Sequence, residues 1–299
     1  MKISGTKKYT LIALFVMFLW GSLFPLVKLG YKAFEIDTSS VASILTFAGL
    51  RFTVCGAIIL LICLLTKKKM KISIKKEFPS IALVGLFSII LHYTFTYVGL
   101  AHCESGKTAL LKQLAVVLFI PFSFIFYKNE HFKLRNLISA VLCLAGIIVL
   151  NINEVGFSFG IGELLVVSAS VCTVVYNMLG KNVMKTVDPV VMTGYSQIFG
   201  GAVLLIAGIA TGGKITSFSL YALGIFAYIC FASILSYCLW HYVVKCGNLS
   251  SLFVIKFAEP VFAALIGALL LGENPFKITF LVALVLIAAA IINIQYSKQ

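Results

Sequence analysis

The chain has 299 residues, of which 61% are hydrophobic and only 11% are charged, with a formal net charge of +14. Soluble domains carry about 25% charged residues, so the composition excludes a soluble globular protein and predicts an integral membrane protein. The basic charge does not indicate nucleic acid as a partner, because the lysines fall in short breaks between apolar runs, where membrane proteins mark their cytoplasmic side.

Ten apolar stretches follow one another along the chain, and each is long enough to form a membrane-spanning helix of about 20 residues. Their length and their content of Leu, Ile, Ala and Phe favour helices over barrel strands. The spans are predicted at about 9–30, 41–66, 78–100, 105–127, 134–152, 160–184, 189–211, 218–245, 248–271 and 276–296. The predicted fold class is all-α integral membrane, with ten transmembrane helices in the lipid bilayer.

The Lys and Arg residues set the predicted orientation. With a cytoplasmic N-terminus, 16 of them fall in inside segments and 5 in outside loops. Because cytoplasmic loops carry the excess of these residues, both termini of this multi-pass plasma-membrane protein are predicted to be cytoplasmic. The eight cysteines form no CxxC pair, so neither a disulfide framework nor a metal site is predicted, and no cofactor is expected.

The second half of the chain repeats features of the first. Ile-Leu-His-Tyr at 90–93 recurs as Ile-Leu-Ser-Tyr at 234–237, and Lys112 matches Lys256 at the same offset. A repeat of five helices has an odd number of spans, so the second copy must insert with the opposite orientation. Inverted repeats with a site near the membrane midplane are typical of secondary transporters.

This repeat divides the chain into two predicted domains, 1–152 and 153–299, each with five helices. Several short motifs accompany the two halves. They are Trp-Gly-Ser-Leu-Phe-Pro at 20–25, Arg-Phe at 51–52, Ala-Glu-Pro-Val-Phe at 258–262 and Leu-Gly-Glu at 271–273. With these motifs, the chain resembles the EamA-type family of the drug/metabolite transporter superfamily. The resemblance implies an exporter or exchanger of small metabolites, amino acids or drugs, with a central cavity between the halves.

Two positions depart from the pattern of that family. Pro260 in the ninth span corresponds to Val116 or Val117 in the fourth span, which carries its proline at Pro121 instead. The sixth span has Cys-Thr at 172–173, where many relatives have Trp-Ala. The resemblance therefore does not identify the substrate.

Three charged side chains deep within the spans are the first candidates for a substrate site: Lys112, Lys256 and Glu259. A charge inside a membrane is costly and usually faces a cavity or a partner. Lys256 and Glu259 are three residues apart, so they share a helix face and can pair. Two cations and one acid favour a substrate carboxylate. Alternatively, Glu259 is the site of a coupled proton, or the pair is purely structural while Lys112 extends toward the membrane surface.

Polar and aromatic residues within the spans are predicted to line the same cavity. They are Trp20, His92, Tyr93, Tyr97, Gln113 and Tyr237. Such residues at helical spacing also serve in packing or in an interfacial belt, and a belt position is expected for His241. A structural carbonyl or carboxylate partner is expected for Arg51. Pro25, Pro121 and Pro260 lie inside helices and are predicted to kink them, either for gating or as fixed curvature.

The predicted function is secondary transport, without ATP, of a small metabolite such as an amino acid or other carboxylate. Export by alternating access, around a cavity between the repeats, is expected. A multidrug or hydrophobic-compound exporter is the alternative, and a non-transporting signalling or scaffold protein or an intramembrane enzyme represents the other classes. The spans contain no catalytic nucleophile and base and no metal motif, so an enzyme is not expected. The expected partner is the small-molecule substrate; a coupled proton and a monomeric or homodimeric state are left open.

Overall fold

The computed structural model describes residues 5–70, 72–100, 105–122, 125, 133–150, 160–271 and 278–296. Within these ranges the chain consists of helices and short connections, without a strand. The helices are α1 (Gly5–Ala33), α2 (Val41–Leu65), α3 (Phe78–Gly85), a π-helical segment (Leu86–Leu91), α4 (His92–Leu100), α5 (Ser105–Phe122), α6 (Leu134–Leu150), α7 (Ile161–Val183), α8 (Pro189–Ala210), α9 (Leu220–Cys246), α10 (Leu249–Lys256), α11 (Ala258–Leu271) and α12 (Ile278–Tyr296). The predicted all-helical class is confirmed.

Seven helical stretches in the described ranges are long and apolar enough to cross a membrane. They are Lys8–Ala33, Val41–Leu65, Phe78–Gly99, Ile161–Val183, Pro189–Ala210, Leu220–Cys246 and Leu249–Leu270. Three shorter apolar helices lie in the predicted fourth, fifth and tenth spans, at Leu111–Ile120, Leu134–Val149 and Ile278–Asn293. The chain is therefore a helical membrane protein, while the count of ten spans remains a prediction.

Helices α2 and α8 pack against each other through glycines. A Cβ atom on Gly49 would lie 2.6 Å from the Cα of Leu205, and one on Gly56 would lie 2.5 Å from the nitrogen of Ile198. Only a residue without a side chain permits this approach of two backbones, and small residues at helix interfaces are typical of membrane proteins. As the residue number rises along α2, the residue number of its contact on α8 falls, so the two helices are antiparallel. We call this interface the glycine seam; it consists of Gly49, Gly56, Gly194, Gly201 and Gly208.

The contacts across the glycine seam are reciprocal. Gly49 faces Leu205, while Gly201 faces Thr53. Gly201 follows Gly49 by the same number of residues as Leu205 follows Thr53. Each residue of one contact therefore has its equivalent in the other contact, on the opposite helix. The seam therefore has the register of a two-fold relationship between antiparallel helices.

Helices α6 and α12 show the same reciprocity. The Ser139 hydroxyl donates a hydrogen bond to the Ala290 carbonyl at 3.1 Å. A Cβ on Gly146 would lie 3.3 Å from the Ala283 carbonyl oxygen. Tyr93 and Tyr237 are 144 residues apart. The same spacing separates Ser139 from Ala283 and Gly146 from Ala290, so the two contacts are equivalent. This helix pair is therefore also antiparallel and reciprocal.

Two spans are irregular. The third span passes through the π-helical segment between α3 and α4. The ninth span is interrupted at Phe257, between α10 and α11. Pro260 explains the interruption, because proline has no N–H to bond the carbonyl of Lys256, four residues earlier, and its ring clashes with that carbonyl. A charged residue thus lies at a break in a membrane helix.

The helices around the middle of the bundle are packed in two corresponding groups. Helix α1 packs against α9, α10 and α11, and helix α7 packs against α3, α4 and α5.

Polar contacts at both ends of the α2–α8 pair also hold it in place. At one end Lys68 Nζ lies 2.9 Å from Asp188 Oδ1, and at the other the Thr216 hydroxyl donates to the Glu35 carbonyl at 3.0 Å. The polar residues predicted for a site lie on the two packed groups.

Candidate functional site

Lys256 and Glu259 lie on either side of the helix break at Phe257. Lys256 Nζ is 3.5 Å from Glu259 Oε2, and the two side chains are only 12% and 15% exposed. Lys256 Nζ also lies 4.9 Å from the centroid of the Trp20 ring, within the range of a cation–π contact. The two side chains form the ion pair that their spacing predicts, and α1 contributes an aromatic face to it.

Lys112 on α5 lies within electrostatic range of this pair. It interacts electrostatically with both Glu259 and Lys256, and its Nζ lies 5.5 Å from the centroid of the Phe24 ring. It makes no ion pair with any residue in the described ranges. The structure therefore brings together the three intramembrane charges that the sequence singles out, with two cations and one carboxylate. We call Lys112, Lys256 and Glu259 the charge cluster.

A row of aromatic rings leads away from the charge cluster. The Trp20 ring lies 5.5 Å from the ring of Tyr237, whose hydroxyl is 3.3 Å from the hydroxyl of Tyr93. The ring of Tyr93 is in turn 5.7 Å from that of Tyr97. These four predicted site residues therefore form one continuous wall, to which α1, α4 and α9 contribute.

His92 is held between the charge cluster and α7. Its Nδ1 lies 3.1 Å from the Ala169 carbonyl oxygen and 3.3 Å from the Thr173 hydroxyl. Because a carbonyl oxygen only accepts, the short contact assigns the proton to Nδ1 and leaves Nε2 as the acceptor nitrogen. His92 also interacts electrostatically with Lys112 and Lys256. Its role as a cavity residue stays a prediction.

The other predicted residues are less closely connected. Gln113 is buried on α5, but no hydrogen bond joins it to the charge cluster within the described residues. Pro25 lies inside α1, which continues through it, and Pro121 is the penultimate residue of α5, where the side chain lies outside the described part. Among the three prolines, Pro260 is the one that coincides with an interrupted helix.

A comparison of the whole sequence with known protein families identifies the family of the chain. The sequence profile of the EamA-like transporter family matches residues 7–152 and again residues 160–295. The chain belongs to the EamA-like transporter family.

Relatives of this EamA-like chain are similar over nearly their full lengths. An uncharacterized transporter of Archaeoglobus fulgidus is 26% identical over 273 residues, which cover 89% of this chain and 91% of the relative. The uncharacterized inner membrane transporter YedA of Escherichia coli is 28% identical over 298 residues, which cover 96% and 90%. A crystal structure superposes with a TM-score of 0.78 over 96% of both chains at 19% identity, which shows a shared fold. These similarities support a transporter role in a membrane.

Sequence reasoning missed a buried amide of this EamA-like protein. The Trp240 Nε1 donates a hydrogen bond to Asn177 Oδ1 at 2.7 Å, and Asn177 Nδ2 donates to the Thr173 carbonyl at 2.7 Å. The Trp240 ring lies 5.3 Å from Trp20. Asn177 thus fixes the second tryptophan behind the aromatic wall. The signal in the sequence is an amide side chain within a predicted span, because a polar group that is buried there needs a partner.

One expectation about a single side chain is wrong, and a second is not met within the described residues. His241 is not part of an interfacial belt: it is only 2% exposed, and its Nδ1 lies 2.7 Å from the Thr193 hydroxyl. Arg51 has no carbonyl or carboxylate partner among the described residues. Its Cζ lies instead 4.2 Å from the centroid of the Phe52 ring and 5.5 Å from that of Tyr93. The sequence indicates that these side chains are polar and within a span, but not which neighbouring helix faces them.

Proposed function

We propose that this protein is a secondary transporter that exports a small metabolite with a carboxylate group, such as an amino acid, across the plasma membrane. The observation that carries the proposal is the charge cluster. Lys112 comes from the first matched half and Lys256 with Glu259 from the second, and they interact inside a helical membrane protein. Since intramembrane charges are costly, they usually serve a substrate or ion pathway.

The proposed mechanism is alternating access between two inverted five-helix repeats, 1–152 and 153–299. The reciprocal contacts of α2 with α8 and of α6 with α12 support this arrangement, because an antiparallel, two-fold register is expected when the second repeat inserts upside down. The pairing of α1 with α9 to α11, and of α7 with α3 to α5, has the same symmetry. The distribution of Lys and Arg supports cytoplasmic termini.

The charge cluster favours a carboxylate over a neutral or cationic substrate. Lys256 is compensated by Glu259, but Lys112 has no acidic partner in the described ranges. A substrate carboxylate would supply the missing charge, while Glu259 is placed to attract a substrate ammonium group or to carry a coupled proton. Charge-assisted hydrogen bonds of this kind contribute about 1.5–3 kcal/mol each.

The decisive experiment separates a functional ion pair from a structural one. Removal of one member of a buried pair costs about 3–5 kcal/mol, whereas removal of both can be nearly neutral. We therefore expect Glu259→Gln to be unstable, and the double variant Lys256→Met, Glu259→Leu to regain normal membrane abundance without transport. The measurement is uptake of labelled amino acids and organic acids into proteoliposomes, with no ATP present.

A matched control is the other described ion pair. Lys68→Met with Asp188→Asn removes a Lys–Asp pair outside the cluster, and we expect this variant to retain transport. Lys112→Met should weaken a carboxylate substrate more than its neutral amide. Full transport by the Lys256→Met, Glu259→Leu variant at normal abundance would mean that the pair is structural.

A multidrug exporter is the second candidate, favoured by the aromatic wall formed by Trp20, Tyr237, Tyr93 and Tyr97. Aromatic faces bind apolar and cationic compounds without a charged partner. In proteoliposomes this function predicts transport of hydrophobic cations that persists in Lys112→Met. Transport of carboxylates that is lost in the same variant supports the first proposal instead.

A further inference from the structure

Arg51 in α2 is a buried cation with unused hydrogen-bond donors. Its side chain is only 3% exposed. It forms no ion pair and donates no hydrogen bond to any residue in the described ranges, and its Nε is buried without an acceptor. The guanidinium instead lies over the rings of Phe52 and Tyr93. Arginine stays charged at every physiological pH, so the charge is permanent.

The aromatic contacts only partly compensate the burial of Arg51. A ring face attracts the positive charge, with a contribution that reaches about 2 kcal/mol when the pair is desolvated. It does not replace the oxygen acceptors that five N–H donors require. Each buried donor without an acceptor costs about 1–3 kcal/mol, and more when it is charged. An oxygen acceptor that reaches the guanidinium from a cavity would recover this free energy.

The described part of the protein offers no carboxylate for this role. Of its acidic residues, Glu163 and Glu259 lie within the spans. Glu163 Oε2 accepts a hydrogen bond from the Gly160 backbone nitrogen at 2.7 Å, at the beginning of α7. Glu259 is paired with Lys256. Within the described residues no carboxylate is left for Arg51, and a ligand carboxylate would supply the acceptor that it lacks there.

Arg51 and the charge cluster both adjoin the aromatic wall, but at different rings. Arg51 contacts the ring of Tyr93, the Tyr93 hydroxyl meets that of Tyr237, and the Tyr237 ring meets Trp20, which contacts Lys256. The site holds three cations, Arg51, Lys112 and Lys256, and one carboxylate, Glu259. It therefore has an excess of two positive charges. These charges are divided between Arg51 and the charge cluster, which contact different rings of the aromatic wall.

We propose that Arg51 binds a second carboxylate of the substrate, which makes the substrate a dicarboxylic acid, with or without an amino group, rather than a monocarboxylate. The inference rests on the proposed function, because one carboxylate binds the charge cluster. The other reaches Arg51, whose planar fork matches a carboxylate in a bidentate geometry. The carbon chain of the substrate lies along the aromatic wall.

The test compares each dicarboxylate with its own monoamide, which has the same length and one charge less. The purified full-length protein is titrated with succinate, glutarate and adipate and with their monoamides, and Kd is measured from thermal stabilisation. We expect at least one dicarboxylate to bind about tenfold to a hundredfold more tightly than its monoamide, as one charge-assisted bidentate contact predicts. Arg51→Gln should abolish this preference.

Two further variants keep the test independent of folding. Arg51→Lys retains the charge without the fork, so it should keep only part of the preference if Arg51→Gln does not fold. Lys112→Met should weaken the dicarboxylate and its monoamide by similar factors, because both still carry a carboxylate for the charge cluster. The ratio of two Kd values within one variant does not depend on the fraction of folded protein.

The outcomes distinguish this inference from the proposed function. If the monoamides bind as tightly as the dicarboxylates, or the preference survives in Arg51→Gln and Arg51→Lys, then Arg51 is a structural cation–π residue and the inference is wrong, while a carboxylate transporter remains. If neither class of probe binds, the inference is wrong, and the carboxylate function is overturned with it when the proteoliposomes also take up no labelled amino acid or organic acid.

Discussion

The hydroxyl oxygens of Tyr93 and Tyr237 lie 3.3 Å apart, and the two residues are separated by 144 positions. This is the offset at which the motif of the third span recurs in the eighth, so equivalent residues of the two halves touch each other. In a two-fold arrangement, a contact between equivalent residues lies at the axis. The proposed two-fold axis between the two matched halves would therefore pass through this pair of tyrosines, which belong to the aromatic wall.

Replacement of a glycine in the glycine seam should destabilise the protein. A Cβ on Gly201 would lie 2.7 Å from the carbonyl carbon of Phe52, and backbone cannot move aside as a flexible side chain can. We expect Gly201→Ala to lower the stability by about 1–3 kcal/mol, as overpacking does. The measurement is thermal unfolding of the purified protein in detergent.

Gly224 provides a matched control for this prediction. It is a helical glycine in α9 with open space around its Cβ position. Gly224→Ala should leave the stability unchanged or raise it by up to about 1 kcal/mol, because alanine favours helix. Equal midpoints for the two variants would contradict the close packing of α2 against α8.

Loss of the amide behind the aromatic wall should also be costly. In Asn177→Leu the Trp240 Nε1 loses its acceptor, and an unsatisfied buried donor costs about 1–3 kcal/mol. The double variant Asn177→Leu, Trp240→Phe removes both partners and should be less destabilised than the sum of the two single variants. A double-mutant cycle on thermal stability measures this coupling, and additive effects would show that the hydrogen bond contributes nothing.

Cys246 offers a native reporter of orientation. It is exposed at the end of α9, whereas the other cysteines in the described ranges are buried or half-buried. With cytoplasmic termini, we expect a membrane-impermeant maleimide to label Cys246 in inside-out vesicles and not in intact cells. Cys246→Ser, which should lack this labelling, is the control. Labelling of Cys246 in intact cells would reverse the predicted topology.

The Lys68–Asp188 pair should make stability depend on acidic pH. Partial burial acts to raise the pKa of the Asp188 carboxyl, but hydrogen bonds from Lys68 and from the Val190 backbone nitrogen, together with the Lys68 charge, outweigh it and hold the pKa below its ordinary value. The carboxylate therefore contributes stability that is complete above the unfolded-state pKa of about 4. This contribution is lost as the pH falls through the lower pKa of the folded state.

Asp188→Asn tests this dependence, because asparagine can still cap α8 without the charge. We expect it to be less stable than the wild type at pH 6, by at most about 1 kcal/mol for a partly exposed pair, and the difference to shrink as the pH falls below about 4. Lys68→Met should produce a similar loss at pH 6. A difference that stays constant between pH 6 and pH 3 would rule out a role for the charge. Thermal unfolding across this range is the measurement.

The sequence was most informative where a residue type is rare in its surroundings. Lys112, Lys256 and Glu259 could be predicted as neighbours because full charges are scarce in apolar spans and must find partners or a cavity. The interruption of the ninth span could be anticipated from Pro260, since proline removes a helical hydrogen bond wherever it stands. Both inferences depend on local chemistry that does not require knowledge of the helix packing.

The remaining features depend on which helices pack against each other, and the sequence of a single span does not determine this. The glycine seam needs Gly49 and Gly201 in one register, but glycines are common in membrane helices and their pairing is a tertiary property. For the same reason the Thr193 partner of His241 and the aromatic surroundings of Arg51 could not be predicted. The π-helical segment at Leu86–Leu91 has no proline or glycine pair that would indicate it.

The glycine seam has a mechanical consequence. Backbones that touch along most of two membrane helices leave no room for a lipid chain or a water molecule, and any separation would expose glycine backbone with no side chains to cover it. The α2–α8 pair is therefore expected to move as one rigid unit. In the proposed alternating-access cycle, each opening would come from the other helices rocking about this line, with a displacement that grows with distance from it.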